Sequence, residues 1–185
     1  MDLLAVSQLP FSAERGWPEL ARIHPGLRRV FAFLVLPMSL VPPAMLYLAG
    51  TRHPEVFAGL VGARPWGRVA VVFFLAELAS YLGMGWFIRQ VAATARLELD
   101  EHDAWLLAAL APVPMWLSSL GLLIPNLLAS GLVALIGLGL SCGVASHGVQ
   151  ALCRTREGVV AEGVVQTVMG AGVIAWVALV LIALA

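Results

Sequence analysis

The residues that decide the fold are 104–153, AWLLAALAPVPMWLSSLGLLIPNLLASGLVALIGLGLSCGVASHGVQALC, a run of fifty without one Asp, Glu, Lys or Arg. As one helix this run would be about 75 Å long, more than twice the roughly 30 Å thickness of the hydrocarbon core of a bilayer. Pro125 lies near its middle, and because proline lacks a backbone N–H and restricts the preceding residue, a helix should end there. The run therefore predicts two membrane spans joined by a very tight turn.

The composition of the whole chain agrees with this prediction. Hydrophobic residues make up 61% of the sequence and charged residues 12%, with a mean hydropathy of +0.92. Soluble domains are about 45–50% apolar and about 25% charged. We therefore expect an all-α, polytopic helical membrane protein. The formal net charge is zero, so no nucleic-acid partner is expected.

The N-terminal segment, residues 1–29, is expected to be cytoplasmic and interfacial. Its stretch SAERGWPELARI, residues 12–23, predicts a short helix on the membrane surface, with Trp17 and Arg22 at the level of the headgroups. The alternative is a disordered lead-in. No basic residue precedes the apolar patch within residues 1–10, so a cleaved signal peptide is not expected.

The remainder, residues 30–185, predicts a single membrane domain. Five segments have about the 20 apolar residues that a crossing helix needs, and they lie at about 30–48, 69–88, 104–123, 127–145 and 164–185. Prolines within or between these segments are predicted to break or kink the helices; they are Pro37, Pro42, Pro43, Pro112, Pro114 and Pro125.

The arginines predict the orientation, because positively charged loops stay in the cytoplasm. With the N-terminus inside, eight arginines fall on the inner side: Arg15, Arg22, Arg28, Arg29, Arg89, Arg96, Arg154 and Arg156. Three fall outside: Arg52, Arg64 and Arg68. This distribution favours a cytoplasmic N-terminus and a periplasmic C-terminus in a bacterial inner membrane.

Glu77 stands near the centre of the second predicted span. A charged residue at mid-bilayer costs about 2.5 to 3.5 kcal/mol on insertion scales, so this side chain should face the interior of the bundle. Ser80 and Tyr81 share its helical face and are predicted hydrogen-bonding partners. Two interpretations stay open: a functional contact with a proton, a cation or a lipid headgroup, or a buried structural carboxyl group.

A polar cluster, Asp100-Glu101-His102-Asp103, precedes the third predicted span. Asp100 or Asp103 is expected to cap that helix, where a carboxylate also meets the positive end of the helix dipole. The alternative is a divalent-cation site made of these carboxylates and His102. Adjacent positions on a helix point in different directions, so we expect no metal here.

The sequence carries no motif of a known catalytic site. It has no Gly-x-Ser-x-Gly, no phosphate-binding glycine loop and no His-Glu-x-x-His. We therefore expect no catalytic residue, no cofactor and no enzymatic activity. Gly139 and Gly143 form a small-x-x-x-small pair of the kind that lets helices approach closely.

Family resemblance comes from the order of features rather than from one motif. Five spans follow a cytoplasmic segment, the third span contains APVPMWLSSLGLLIP at residues 111–125, and Gly148 is followed by a polar loop and a last span. From about His24 onward the chain resembles the Yip (Ypt/Rab-interacting protein) membrane domain, in its bacterial inner-membrane branch. The resemblance implies a fold and a membrane location without an established activity.

Eukaryotic members of that family are associated with Rab GTPases and membrane traffic. Their acidic-Leu-Tyr-Gly-Pro signature is absent from this chain, so GTPase binding is not carried over. We expect a membrane scaffold or interaction protein that contacts lipids and either a membrane-protein partner or a second copy of itself. The helix faces expected to make contact carry Gly139, Gly143 and Gly148. The alternative is a small-solute or ion permease or channel, acting as an oligomer, with Glu77 in its pathway and proline-broken spans around it.

Overall fold

The computed structural model describes residues 16–17, 20, 23–56, 64–97, 99–152 and 158–184. Within these residues the regular structure is helical, and five helices are long and apolar enough to cross a membrane. We call them spans one to five: Leu27–Arg52, Trp66–Thr94, Glu101–Leu123, Leu127–Leu152 and Glu162–Ala183. The predicted class of five-span helical membrane protein is confirmed. Arg15, Arg22, Arg154 and Arg156, four of the arginines that predict the orientation, lie outside the described residues.

The helices extend beyond the predicted spans, most clearly at span four. Its helix continues from the predicted end near residue 145 to Leu152, through His147 and Gln150. A helix satisfies its own backbone hydrogen bonds whether lipid or water surrounds it, so polar side chains do not end it at the edge of the membrane. Hydropathy marks the part of a helix that lies in lipid, and the helix itself is longer.

Span one is distorted where its prolines fall. It consists of α1 (Leu27–Val30), a π-helix (Phe31–Val35), α2 (Leu36–Ser39) and α3 (Val41–Arg52). Pro37 occupies the first turn of α2, while Pro42 and Pro43 occupy the first turn of α3. Proline is tolerated in a first turn because the N–H that it lacks would have no partner there. A new helix therefore begins next to each proline position: α2 begins after the π-helix, with Pro37 in its first turn, and α3 begins after the break, with Pro42 and Pro43 in its first turn.

Span two is one unbroken helix, α4 (Trp66–Thr94), whereas span three is broken. Span three consists of α5 (Glu101–Leu110), α6 (Val113–Ser118) and a 3₁₀-helix (Ser119–Leu123). The break falls at Ala111 and Pro112. Next to it, the backbone N–H of Met115 donates a 3.1 Å hydrogen bond to the Ser141 hydroxyl of span four.

The predicted hairpin between spans three and four is present. Residues 124–126 separate the 3₁₀-helix from α7 (Leu127–Leu152), and the Asn126 side chain accepts a 3.1 Å hydrogen bond from the Ala129 N–H. The Ser130 hydroxyl lies 2.9 Å from the Gly121 carbonyl, 3.2 Å from that of Ile124 and 3.0 Å from that of Asn126. Each of these carbonyls also accepts from a backbone N–H, so the Ser130 hydroxyl adds a further donor from span four at the end of span three.

Span three is the central helix of the bundle. Of the residues in its most apolar stretch, 39% are buried inside the protein, against 17% in span four and 11% in span five. Span five belongs to the helix α8 (Gly158–Leu184). Large apolar side chains on the outside include Phe33, Leu128 and Ile174, which are 71% exposed or more. In a membrane these outer surfaces contact lipid.

Trp17 corrects the predicted interfacial segment. The N–H of Leu20 bonds to the Gly16 carbonyl and the N–H of His24 to that of Leu20, both in the i to i−4 pattern of an α-helix. Trp17 is fully buried, however, and its indole ring packs where a Cβ on Gly148 of span four would lie. Trp17 is therefore packed against protein instead of being exposed on the surface of the bundle.

Two further tryptophans, near the ends of their spans, pack against glycines in the same way. The ring of Trp66 lies against Gly50, and the ring of Trp105 lies against Gly85. Trp86 differs, since it is 59% exposed, as an anchor in the interface would be. Glycine thus provides the notches into which helix-flanking indole rings fit.

The packing expected at Gly139 is found elsewhere on the same helix. A Cβ on Gly139 would meet no atom within 4 Å. Gly137, two positions earlier, lies against Ser118 of span three, and Gly148 lies against Leu107 and Trp17. Because two positions correspond to about 200° around a helix, Gly139 faces away from the contact that Gly137 makes.

Candidate functional site: a buried carboxyl group in an intramembrane cavity

Glu77 lies in the middle of span two and is only 5% exposed. Phe73, one turn before it, and Tyr81, one turn after it, are buried on the same face of α4. The apolar spacing of this helix therefore turns the acidic side chain toward the other spans, as expected for a carboxyl group at this depth.

The Glu77 side chain lines a cavity of about 400 Å³. Every span contributes to its wall; Leu46, Phe73, Ala108, Leu138 and Trp176 are one apolar example from each. The polar side chains of the wall are Glu77, Tyr81, Cys142 and the five serines Ser80, Ser118, Ser119, Ser130 and Ser141. Pockets that bind small molecules measure about 300 to 1,000 Å³ and are mostly apolar with a few polar groups.

The hydrogen-bonding partner of Glu77 comes from span three. The indole of Trp116, which lines the same cavity, lies where its N–H can donate to the Glu77 carboxyl group. The second carboxyl oxygen, Oε2, is buried and has no hydrogen-bond partner among the described residues. Glu77 therefore has one oxygen held by the protein and a second oxygen left without such a contact.

Ser80 and Tyr81, the predicted hydrogen-bonding partners of Glu77, make other contacts. Ser80 lines the same cavity. The ring of Tyr81 packs between two aromatic neighbours, with centroid distances of 5.8 Å to Phe31 and 5.7 Å to Trp105. Among the described residues, the hydrogen bond to Glu77 is supplied by Trp116 instead.

The proline break in span three positions Trp116. The helix restarts as α6 after Pro112. The backbone N–H of Trp116 donates a 2.9 Å hydrogen bond to the Pro112 carbonyl, which closes the first turn of α6. Sequence reasoning missed this residue, although a signal existed. A tryptophan in the middle of a span needs a partner for its indole N–H, and Glu77 is the acidic residue at comparable depth.

The cluster before span three is divided by the structure. The Asp100 side chain accepts a 2.7 Å hydrogen bond from the Glu101 N–H, as a helix cap does, and Glu101 forms a 3.0 Å ion pair with Arg89. His102 and Asp103 are turned inward, toward His24. Asp100 and Glu101 have other partners, so of the ligands in the alternative prediction of a cation site only His102 and Asp103 lie together.

These features define a class: a five-span helical membrane protein whose bundle encloses an apolar cavity with one buried carboxyl group. The family model described as the Yip1 domain matches residues 8–184. The chain belongs to the Yip family. Neither a curated protein nor a solved structure gives a significant match.

Proposed function

We propose that this Yip-family protein is a membrane scaffold that holds a lipid in its intramembrane cavity, with Glu77 as the polar contact. The cavity carries the proposal, since it is large enough for part of a lipid, mostly apolar, and formed by all five spans. A scaffold of this kind acts by occupancy and shape, so no catalytic residue is required. Its location in the proposal is a bacterial inner membrane, with the N-terminus in the cytoplasm.

Access from the bilayer supports a lipid as the occupant. Spans four and five, which form part of the wall, are the least buried of the five. A molecule already dissolved in the bilayer can therefore reach the cavity by passing between helices. A water-soluble ligand would first have to leave water and cross an apolar surface.

Glu77 restricts the chemistry of the lipid. Its Oε2 atom lies buried without a partner among the described residues, and an unsatisfied buried polar group costs about 1–3 kcal/mol. A ligand with a hydroxyl, amide or amine group can supply the missing hydrogen bond. The proposed occupant is therefore an amphiphile with one apolar chain in the cavity and one hydrogen-bonding group at Glu77.

Lipid retention tests the proposal with a matched pair of glycines on span five. Gly172 lines the cavity and Gly170 does not, and a Cβ on either would meet no atom within 4 Å. We expect Gly172→Leu to fill the cavity and lower the lipid that copurifies with the protein, as measured by native mass spectrometry. Gly170→Leu should leave it unchanged. Equal lipid retention in the two variants would contradict the proposal.

A second candidate function is a small-solute or ion permease acting as an oligomer. It is favoured by the broken helices beside a buried acidic side chain, an arrangement that transporters use to expose polar groups in the membrane. Proteoliposomes containing the purified wild-type protein should then show solute or proton flux, and Glu77→Gln should abolish it. Lipid retention without flux supports the scaffold. A protein partner or a second copy of the chain stays a prediction.

A further inference from the structure

Three potential metal ligands meet where the N-terminal segment contacts the start of span three. They are His24, just before span one, and His102 and Asp103, in the first turn of α5. One ligand atom from each lies within 4.8 Å of the other two, and the two imidazole centroids are 5.0 Å apart. This cluster is separate from the cavity around Glu77.

The hydrogen bonding of His102 leaves one ring nitrogen facing a carboxylate. Its Nε2 lies 3.0 Å from the Pro25 carbonyl oxygen, which can only accept, so Nε2 carries a proton. In a neutral imidazole Nδ1 is then a lone-pair acceptor, and it lies 3.5 Å from Asp103 Oδ1. Both atoms are buried, with no hydrogen-bond partner among the described residues. Two acceptors at this distance are bridged by a proton on Nδ1 or by a metal ion, and the second imidazole within reach, that of His24, favours the metal ion.

A four-coordinate transition metal fits that gap. Metal bonds of about 2.0–2.2 Å to nitrogen and oxygen, in tetrahedral geometry, place two ligand atoms about 3.3–3.5 Å apart. The exposed His24 side chain supplies a second imidazole, with one ring nitrogen within 4.8 Å of the other two ligand atoms. The Pro25 carbonyl accepts from Nε2 of His102 and so fixes the tautomer and the orientation of the ring. Metal-bound histidines commonly have such a hydrogen-bonding partner on their other ring nitrogen.

We propose that His24, His102 and Asp103 form a binding site for a divalent transition metal of the Zn²⁺ type. Two imidazoles and one carboxylate suit Zn²⁺ and its neighbours, whereas Ca²⁺ and Mg²⁺ prefer an all-oxygen set. The fourth position is left to water. The bound ion joins residue 24 to the start of span three and so fastens the helix that carries Trp17 to the bundle. No metal was expected from the sequence, because adjacent helix positions such as His102 and Asp103 point in different directions; the structure adds His24, which is remote from them in the chain.

The pair His53 and Glu55 provides an internal control. Its Nδ1 to Oε1 distance is also 3.5 Å, but the carboxylate is exposed, and among the described residues no second histidine completes a three-ligand group there. If a short distance between a histidine and a carboxylate were sufficient for metal binding, both His53–Glu55 and His102–Asp103 would bind a metal ion. We expect binding only at the cluster of His24, His102 and Asp103.

Metal uptake by the full-length protein in detergent tests the site. The protein, purified through a tag without histidine and stripped with chelator, is dialysed against Zn²⁺ or Co²⁺. We expect about one ion per chain by mass spectrometry of the metal, and the visible absorption of four-coordinate Co²⁺. Loss of an outer partner alone costs about 10–100-fold in affinity, so His24→Ala and Asp103→Asn should each weaken binding by at least about 100-fold.

His53→Ala should bind as the wild type does. Because His24 is exposed, its variant should fold, and gel filtration verifies this. Zn²⁺ should raise the melting temperature of the wild type and of His53→Ala without raising that of His24→Ala. Absence of uptake by the wild type, or equal uptake by His24→Ala and His53→Ala, would overturn the proposal.

Discussion

The Trp116 indole of span three and the Glu77 carboxyl group of span two meet on the wall of the cavity, where the indole N–H can donate to the carboxyl group. Removal of either partner should therefore have an effect that depends on the other. Hydrogen bonds between membrane helices contribute about 0.6 kcal/mol on average and up to about 1.7 kcal/mol. We predict a coupling energy in this range for the variants Glu77→Leu and Trp116→Phe and their combination, measured from unfolding in mixed micelles.

The double-mutant cycle separates this bond from other losses at the same positions. If the effects of the single variants simply add, the hydrogen bond contributes nothing and the prediction fails. Glu77→Gln serves as the control, because an amide oxygen still accepts from the indole. Its stability should stay closer to the wild type than that of Glu77→Leu.

Replacing Gly85 and Gly83 of span two by alanine should change the stability of the protein in opposite ways. A Cβ on Gly85 would overlap the ring of Trp105, whereas one on Gly83 would meet no atom within 4 Å. Overpacking costs about 1–3 kcal/mol, so Gly85→Ala should lower the melting temperature in a circular dichroism experiment. Gly83→Ala should be neutral or slightly stabilising, since alanine favours a helix more than glycine does. Similar melting temperatures for the two variants would show that the Trp105 contact is not tight.

The Ser130 hydroxyl predicts a loss of stability at the hairpin. It lies within 3.2 Å of three carbonyl oxygens at the junction of spans three and four. Ser130→Ala should cost about 0.5–1.5 kcal/mol, because the one hydrogen bond that the buried hydroxyl donates across the hairpin is lost while each carbonyl keeps its backbone donor. Ser119→Ala is the matched control, since the Ser119 hydroxyl bonds to one carbonyl, that of Trp116, within its own span. An effect of Ser119→Ala as large as that of Ser130→Ala would contradict this role.

Orientation is tested by cysteine labelling in whole cells. In a background with Cys142 and Cys153 replaced by serine, we introduce either Glu55→Cys, after span one, or Thr94→Cys, at the end of span two. With a cytoplasmic N-terminus, a membrane-impermeant maleimide should label Glu55→Cys alone. Permeabilised cells should give labelling of both, which shows that both thiols are accessible. The reverse pattern would invert the predicted topology.

The sequence predicted the five spans because hydrophobic length has a direct physical meaning in a bilayer. Residues 104–153 exceed one membrane thickness and contain Pro125, so a hairpin was required, and the structure contains it. Glu77 was singled out for a similar reason, since a carboxyl group at this depth has to face protein. These conclusions depend on the free energy of transferring a side chain into lipid. That free energy is a property of each residue type and can be read from the sequence.

What the sequence did not predict depends on which helices are neighbours. Trp116 meets Glu77, and His24 meets His102, only after the spans have packed. Trp17 was assigned to the membrane surface, because the notch at Gly148 exists only in the assembled bundle. The small-x-x-x-small spacing pointed to Gly139, but Gly137 makes the close contact. Local pattern identifies a residue type that can pack closely, but not the face that meets a partner.

The hairpin at residues 124–126 bears on how the chain enters the membrane during synthesis. Because Ser130 and Asn126 supply hydrogen bonds to the backbone at the bend, the turn exposes few unpaired peptide groups to hydrocarbon. A bend that satisfies its own backbone makes spans three and four one helical hairpin, a unit that can enter lipid as a pair without exposing a broken chain to hydrocarbon.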